Sequence, residues 1–346
     1  MPSPAAVRLP ETMRAWRVTS LGEPADALRL ERVAVPQPGP GEALVRVVAV
    51  AANFPDVLLC RGEYQVKPAL PFIPGIECVG EVVAIGEATA DGTDAEASAL
   101  RIGDRVVGTK IGVLSEYAVL PASDLHRAPL ALDDDAAAGL VIAYQTAWFG
   151  LHRRAGLRAG EHLLVHAAAG GVGVAAVQLG AAAGARVIGV VGSARKAEAA
   201  RAAGAEVVLI RGEDDIAKGV LAATAGHGAD VVFDPVGGAA FTASTKCVAF
   251  EGRIVVVGFA GGQIQELPAG HVLVKNYSVL GLHWGLYPGQ RPDLIAQAHA
   301  DLERLADEGV LHPVVDHVVP FDEAPAAIAA LAAGQVIGRV VVRVAS

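Results

Sequence analysis

The chain has 346 residues, 53% hydrophobic and 19% charged, with a formal net charge of −9. That length exceeds the ~250–300 residues at which a single core stops growing, so two domains are expected. The acidic balance argues against nucleic acid as a partner, because a phosphate backbone attracts a basic surface.

Residues 1–12 read as a leader in which prolines and charges stand where a signal peptide needs an apolar run. A first strand is expected from about Met13. Between Ala15 and Arg127, short β-type runs alternate with Pro and Gly: Leu28 to Val35, Ala43 to Ala51, Cys78 to Ile85, Arg105 to Val107 and Ser115 to Leu120. This predicts a compact β-rich, barrel-like domain. Within it, Asn53 to Tyr64 reads as a turn-rich segment carrying an amide, a carboxylate, a guanidinium and a phenol. Asp56 and Arg61 are read first as an ion pair with each other and second as pocket lining. Asn53 and Tyr64 have the donors that a substrate carbonyl oxygen needs. The acidic stretch from Glu87 to Ala99 reads as an exposed loop.

After Pro129 the texture changes. Asp133 to Gly150 predicts an N-capped helix, with three aspartates at its positive end. Strands and Ala-rich helices then alternate. The strands are expected at His162 to His166, Arg186 to Val191, Glu206 to Ile210, Val231 to Asp234, Arg253 to Gly258 and Tyr277 to Leu282, and the pattern is that of a doubly wound α/β domain. A helix at Arg291 to Glu308 follows, and the runs Pro313 to Val319 and Arg339 to Val344 return to the first domain. The expected division is 13–133 with 311–346 for the β-rich domain and 134–310 for the α/β domain. No apolar run reaches the ~20 residues that span a bilayer. Three isolated cysteines, Cys60, Cys78 and Cys247, form no CxxC and suit a reducing, cytoplasmic compartment.

The densest motif is the turn Ala168-Ala169-Gly170-Gly171-Val172-Gly173, between the strand at His162 and a small-residue helix from Val174 to Ala183. It is a variant of the dinucleotide fingerprint with alanine at the first glycine. Gly170 would let the backbone approach a pyrophosphate, Gly173 would let the helix pack closely, and the helix N-terminus offers unpaired N–H groups. At the end of the next strand, an NAD site usually places an acid about ~20 residues on. Here Gly192-Ser193-Ala194-Arg195-Lys196 has none, and Ser193, Arg195 and Lys196 are the groups that a 2′-phosphate needs, so NADPH is the expected cofactor.

No metal is expected. The close histidine pair at a ligand-like spacing, His162 and His166, lies on a strand, where four residues separate the rings by about 13 Å. His166 reads as a core or rim histidine rather than a base.

The motifs ANFPDVLLCRGEY, LPFIPGIECVGEVVAIG, GDRVVG, VHAAAGGVGVAAVQL, ADVVFDPVGG, GRIVVVGF and IGRVVV, in that order from about Met13 to Val344, resemble the zinc-free quinone oxidoreductase branch of the medium-chain dehydrogenase/reductase superfamily. The resemblance implies a GroES-like catalytic domain made from both chain ends, a central Rossmann domain, and a cofactor in the cleft between them. Zinc-dependent relatives carry a Cys at the position of Asn53 and a His at that of Ile76, and residues 86–103 lack the four cysteines of a structural zinc lobe. By similarity, Asn53, Tyr64, Thr146, Phe259 and Trp284 surround nicotinamide and substrate. Ala169, Gly170, Gly171, Val172, Gly173, Ser193 and Lys196 hold phosphates and ribose, and Gly258, Gly338 and Arg339 complete the cofactor set. Arg211 departs from an Asn/Asp-Tyr pair common beside the adenosine; it adds charge there and loses ring stacking.

The expected reaction is hydride transfer from NADPH to a quinone or related electron-poor acceptor, with Asn53 and Tyr64 stabilising the developing oxygen charge. One alternative is an enone or acrylate-type double-bond reductase, where Arg61 would serve an acidic substrate. Another is a non-enzymatic, crystallin-like NADPH-binding protein. A homodimer is expected, with the short run Asn276 to Leu282 as an edge strand pairing with its copy.

Overall fold

The computed structural model describes residues 9–87 and 100–344. Most of the expected leader, and the acidic stretch at 88–99, lie outside them. The chain forms two compact units: residues up to Val141 together with those from Val315 onward, and Ile142–Val314.

The strands of the first unit are, in chain order, β1 (Thr12–Val18), β2 (Leu28–Ala34), β3 (Glu42–Ala52), β4 (Glu77–Ile85), β5 (Arg105–Thr109), β6 (Tyr117–Pro121) and β7 (Leu125–Arg127). The second unit contributes β8 (His162–His166), β9 (Arg186–Val191), β10 (Val207–Ile210), β11 (Ala229–Asp234), β12 (Val248–Val256) and β13 (Ser278–Gly281). The chain then returns to the first unit with β14 (Val315–Pro320) and β15 (Arg339–Arg343).

In the first unit, β1 and β2 form an antiparallel ribbon, and a larger sheet runs β14-β15-β3-β4-β5-β7, with β6 also on β3. The C-terminal strand β15 lies antiparallel on β3, with Val340 opposite Ala52 and Val342 opposite Val50. Alternate residues of β3, β6 and β15 turn into one core: Val45, Val47, Leu120, Val340 and Val342 bury there with Phe321 and Ile328. The Trp16 indole joins it and donates to the Phe321 carbonyl at 2.8 Å.

Two local expectations differ. Asn53 to Tyr64 is mostly helix, Phe54–Arg61, with Pro55 in its first turn and Gly62 closing it at φ 71. These end signals stand only seven residues apart, which is why the segment reads as punctuated loop. The helix expected over Asp133 to Gly150 starts as foreseen, the Asp133 carboxylate accepting from the Ala136 N–H at 2.9 Å. It stops at Gly139, resumes as Val141–Trp148, and widens into a π-helical turn at Phe149–Arg154. At the break, a Cβ on Gly139 would stand 3.0 Å from Arg339 Cγ and 3.1 Å from its Nε, so the glycine makes room for a buried guanidinium.

The second unit is a parallel sheet in the order β10-β9-β8-β11-β12-β13. Helices Gly171–Ala182, Ala194–Ala202, Ile216–Ala223, Ala239–Cys247 and Ala269–Lys275 follow successive strands. The central strands carry Leu164, Ile188, Val190, Val232 and Ile254 in one core, the near-continuous apolar reading expected of strands covered on both faces. Strand order reverses between β8 and β11, the switch point beside whose C-terminal strand ends ligands bind in open α/β sheets. Helix Ala239–Cys247 is additional to the sequence reading, and β12 begins at Val248 rather than Arg253. Among the described residues, no helix is long and apolar enough to cross a membrane.

Candidate functional site

The glycine turn leaves β8 at its C-terminal end, at the reversal of strand order. Ala167 takes φ 51, its carbonyl accepts from the Gly170 N–H at 2.8 Å, and the Ala168 N–H donates to Val190 O on β9 at 3.0 Å. Gly170 is the N-cap of helix Gly171–Ala182, with no side-chain cap. The first intrahelical bond runs from Val174 N to Gly170 O at 2.8 Å, so the N–H groups of Gly171, Val172 and Gly173 precede any intrahelical acceptor. A Cβ on Gly173 would stand 2.0 Å from the Ala167 carbonyl oxygen, so only glycine lets the turn fold back on the helix. Close contact between this helix and β8 falls elsewhere, at Gly180, whose added Cβ would lie 2.4 Å from Leu163. Ala168 and Ala169 are buried beneath the turn.

The ends of the neighbouring strands carry the expected cations. Ser193 caps helix Ala194–Ala202, its hydroxyl accepting from the Lys196 N–H at 3.4 Å, and Arg195 and Lys196 occupy that helix's first turn. Arg211, just past β10, donates its backbone N–H to Val191 O at 2.8 Å, and its Nη2 would lie 3.4 Å from a Cβ on Gly192. The guanidinium therefore reaches back over the end of β9, beside Ser193. His166 is fully buried, its Nε2 2.7 Å from Ser244 Oγ. Burial holds its imidazole below the ordinary value, opposed by Asp234 and reinforced by the charge of Arg211. It is a neutral core residue.

Asp234, at the end of β11, was not singled out in the sequence. Its carboxylate is fully buried and accepts the N–H groups of Val236 and Gly237 at 2.9 and 3.0 Å. Gln265 donates to Asp234 Oδ2 at 3.4 Å and to Gly258 O at 3.2 Å, which ties the Gly258-Phe259 loop to this one and leaves the Phe259 ring exposed. The signal was an acid ending an apolar strand just before Pro-Val-Gly-Gly. Thr146 is buried in helix Val141–Trp148, and its neighbour Gln145 accepts the Trp284 indole N–H at 3.1 Å, so Trp284 stands at that helix.

In the first unit the polar residues gather in a buried cluster. Asn53 donates both amide hydrogens inside the protein, to Glu77 Oε1 at 2.8 Å and Ala51 O at 3.0 Å, and its Oδ1 accepts from Arg339 Nη1 at 2.9 Å. Arg339 also forms an ion pair with Glu77. Asn53 is thus a brace rather than the donor to a substrate oxygen that the sequence suggested. Arg339, expected to contact the cofactor, directs its charge to this cluster, and Gly338 enters β15 at φ 65. Burial lowers the Arg339 guanidinium to about 10, with Asp56 opposing the shift.

Asp56 does not pair with Arg61. It accepts from Asn53 N at 2.8 Å and Gly75 N at 3.0 Å, and burial pushes its carboxyl up to about 6 despite those bonds. Arg61 sits at the other end of the same helix and clamps Glu23 through Nε and Nη2, both at 2.9 Å, so its charge is balanced. Neither is then a ready pocket charge for an acidic substrate. Tyr64 is half-buried, and its hydroxyl has no hydrogen-bond partner among the described residues. Burial, and secondarily Asp56, raise its phenol, so it stays protonated.

Two known domain families match the chain: an alcohol dehydrogenase GroES-like domain over residues 39–130 and a zinc-binding dehydrogenase domain over 171–300. A curated relative from Nematostella vectensis, named quinone oxidoreductase-like protein 2 homolog, is 38% identical over 294 residues, 83% of this chain and 77% of the relative. A mycobacterial protein solved in complex with NADPH superposes with a TM-score of 0.88 at 31% identity, covering 96% of this chain and all of that one. The CurK enoyl reductase superposes at 0.84 with 28% identity, over 96% and 99% of the two chains.

Proposed function

The chain belongs to the quinone oxidoreductase-like branch of the medium-chain dehydrogenase/reductase superfamily, and from that premise we propose that it uses NADPH to reduce a quinone or related electron-poor acceptor without a catalytic metal. The observation that carries the cofactor reading is the cationic edge at β9 and β10. Arg211 reaches over Gly192 beside Ser193, Arg195 and Lys196, and the stretch Gly192 to Lys196 after β9 has no acid to hold a ribose diol. The residues fit the group. The helix start at Gly171 to Gly173 takes the pyrophosphate, and Ser193, Arg195, Lys196 and Arg211 take a 2′-phosphate. NADPH supplies a hydride equivalent when bound.

The protein's own chemistry then concerns the acceptor oxygen. Tyr64 has an uncommitted hydroxyl held in its protonated form, which suits donation to an oxygen gaining negative charge. Asn53 acts through the brace: it fixes the N-terminus of helix Phe54–Arg61, whose C-terminal end leads to Tyr64. Asn53 and Ile76 stand where zinc-dependent relatives place ligands, and neither is a ligand for zinc, which supports metal-independent chemistry.

The likeness to an enoyl reductase favours a second reading, reduction of an activated carbon–carbon double bond. Both readings are tested by one experiment. Initial rates with NADPH and with NADH against a quinone, a 2-alkenal and an acrylate identify cofactor and acceptor, and Tyr64→Phe is expected to lower kcat/KM about 10²-fold or more for the true acceptor. An unchanged kcat/KM removes Tyr64 from the chemistry, and equal rates with NADH remove the phosphate site.

Further features support the remaining parts. β13 is an edge strand, and Leu273 and Val274 on helix Ala269–Lys275 are 80% and 83% exposed, which suits a homodimer closed across that edge. The three cysteines are free thiols, in keeping with a cytoplasmic protein.

A further inference from the structure

At the opposite, N-terminal edge of the second unit's sheet, three side chains converge that the reaction does not use. His162 opens β8, and His227 and Asp230 flank the entry to its neighbour β11. One ligand atom from each lies within 4.8 Å of the other two, and this is the trio of metal-ligating side chains found among the described residues. His227 Nε2 is 2.8 Å from Asp230 Oδ1, and His162 Nδ1 is 3.4 Å from Asp230 Oδ2. A tetrahedral zinc ion with ligands about 2.0–2.1 Å away separates its ligand atoms by about 3.3 Å, so small rotations of the side chains would seat one.

The surroundings allow the added charge. Asp230 also accepts the His162 backbone N–H at 2.8 Å. Burial pushes its carboxyl up, but the hydrogen bonds from that N–H and from the His227 ring outweigh this and hold it below the usual carboxylate range. A neighbouring cation, Arg253, is paired with Glu161, which it grips at 3.0 and 2.9 Å, while it touches Asp230 through the main-chain oxygen at 3.1 Å. The cluster therefore presents one carboxylate and two imidazoles. His162 and Asp230 are mostly buried, whereas the His227 side chain is 53% exposed, so an ion has a way in.

We propose that His162, His227 and Asp230 bind a divalent cation of the zinc class, with the fourth position open to water. Imidazole and carboxylate together suit zinc over magnesium or calcium. The ion would clamp the segment before β11 to the start of β8. It would stand the length of β8 from the glycine turn, about 13 Å along the strand, and so act as a structural clamp rather than in the reaction. The sequence pairs His162 with His166, which the strand holds too far away; its true neighbour is 65 residues on, at His227. The thiols do not compete: burial pushes Cys60 and Cys78 up to about 12 and Cys247 up to about 11.

The test is calorimetric titration of zinc chloride into the chelator-treated full chain, with thermal midpoints recorded with and without zinc. One saturable site is expected, together with a higher midpoint on zinc addition. His227→Ala should weaken binding at least tenfold and abolish the zinc-induced rise over its own metal-free midpoint, while its NADPH affinity stays at the wild-type value. His317→Ala, at a histidine beside Asp316 that belongs to no three-ligand group among the described residues, should bind zinc as the wild type does. Asp230→Asn, which keeps an acceptor for the His162 N–H, serves as a second variant and should also bind weakly. Absence of saturable binding in the wild type overturns the proposal, as does wild-type affinity in both His227→Ala and Asp230→Asn.

Discussion

Gly170 and Gly173 stand three residues apart in one turn, yet the structure assigns them different work, and alanine at each separates folding from cofactor binding. At Gly173 the added methyl would meet the Ala167 carbonyl oxygen at 2.0 Å, its carbon at 2.7 Å and Ala168 Cα at 2.9 Å. All three are backbone atoms, and Ala167 already holds a positive φ, so relief requires moving the turn itself. Overpacking of this kind destabilises by about 1–3 kcal/mol. For a unit of this size that lowers the thermal midpoint by about 2–12 °C. At Gly170 the methyl would meet only the Ala167 oxygen, at 3.4 Å, on a backbone at φ −86 and ψ 173 that any residue adopts. Gly170→Ala should therefore melt within about 1–2 °C of wild type, an effect under about 0.5 kcal/mol. Gly170 is the N-cap, directly before the unpaired helix N–H groups, so a methyl there is expected to crowd a pyrophosphate. Loss of one charge-assisted hydrogen bond, about 1.5–3 kcal/mol, weakens NADPH binding about 10- to 150-fold. Differential scanning fluorimetry of the cofactor-free proteins and fluorescence titration with NADPH measure the two effects. The reasoning fails if Gly173→Ala melts with wild type, or if Gly170→Ala binds NADPH with wild-type affinity.

The buried cluster of the first unit gives a second expectation. Glu77→Gln leaves Arg339 without its facing anion and should destabilise by about 3–5 kcal/mol in urea unfolding, whereas Glu77→Met with Arg339→Met should recover only part of that loss, because the buried Asn53 amide loses both side-chain partners; a loss below about 1 kcal/mol for Glu77→Gln removes the pair from the stability account. A third concerns acid. The folded His166 is held below the ordinary value, so as pH falls through 6.5 the unfolded chain takes up a proton that the native imidazole refuses, and stability drops. His166→Gln should show a shallower loss between pH 7 and 5. Asp56, raised to about 6, loses stability in the other direction as pH rises from 4 to 6, but equally in both proteins, so the difference between their urea midpoints isolates His166. Parallel pH profiles refute the assignment.

The second unit was more legible than the first because its signals are local. β8 and β9 have the very bounds read from the sequence, since each is a continuous apolar run closed by a turn containing glycine. Gly170 and Gly173 lie in the turn between β8 and its helix, and Ser193 lies just past β9, because the motif is local; the helix–strand packing expected of Gly173 falls instead at Gly180. The first unit's polar residues were misread for the opposite reason. Nothing near Asn53 announces that its amide is matched by Glu77 and by Arg339, 286 positions away, so it looked like a free donor. Arg61 looked like a partner for Asp56 because Glu23 lies far from it in sequence, although close in the fold. The break at Gly139 has the same origin, since the guanidinium it accommodates arrives from the far end of the chain.

That wiring also sets an order of events during synthesis. β15, which pairs with β3, and Arg339, which neutralises Glu77, are made only after every strand of the parallel sheet is complete at Gly281. The nucleotide half can therefore fold while translation continues, as domains generally do when they fold as units. The other half waits with an open β3 edge and an unmatched carboxylate, the kind of exposed strand that invites wrong pairing. A released fragment ending at Val314 should hold a protease-resistant core that starts near Ile142, and a released fragment ending at Val344 should extend that protection back to Thr12.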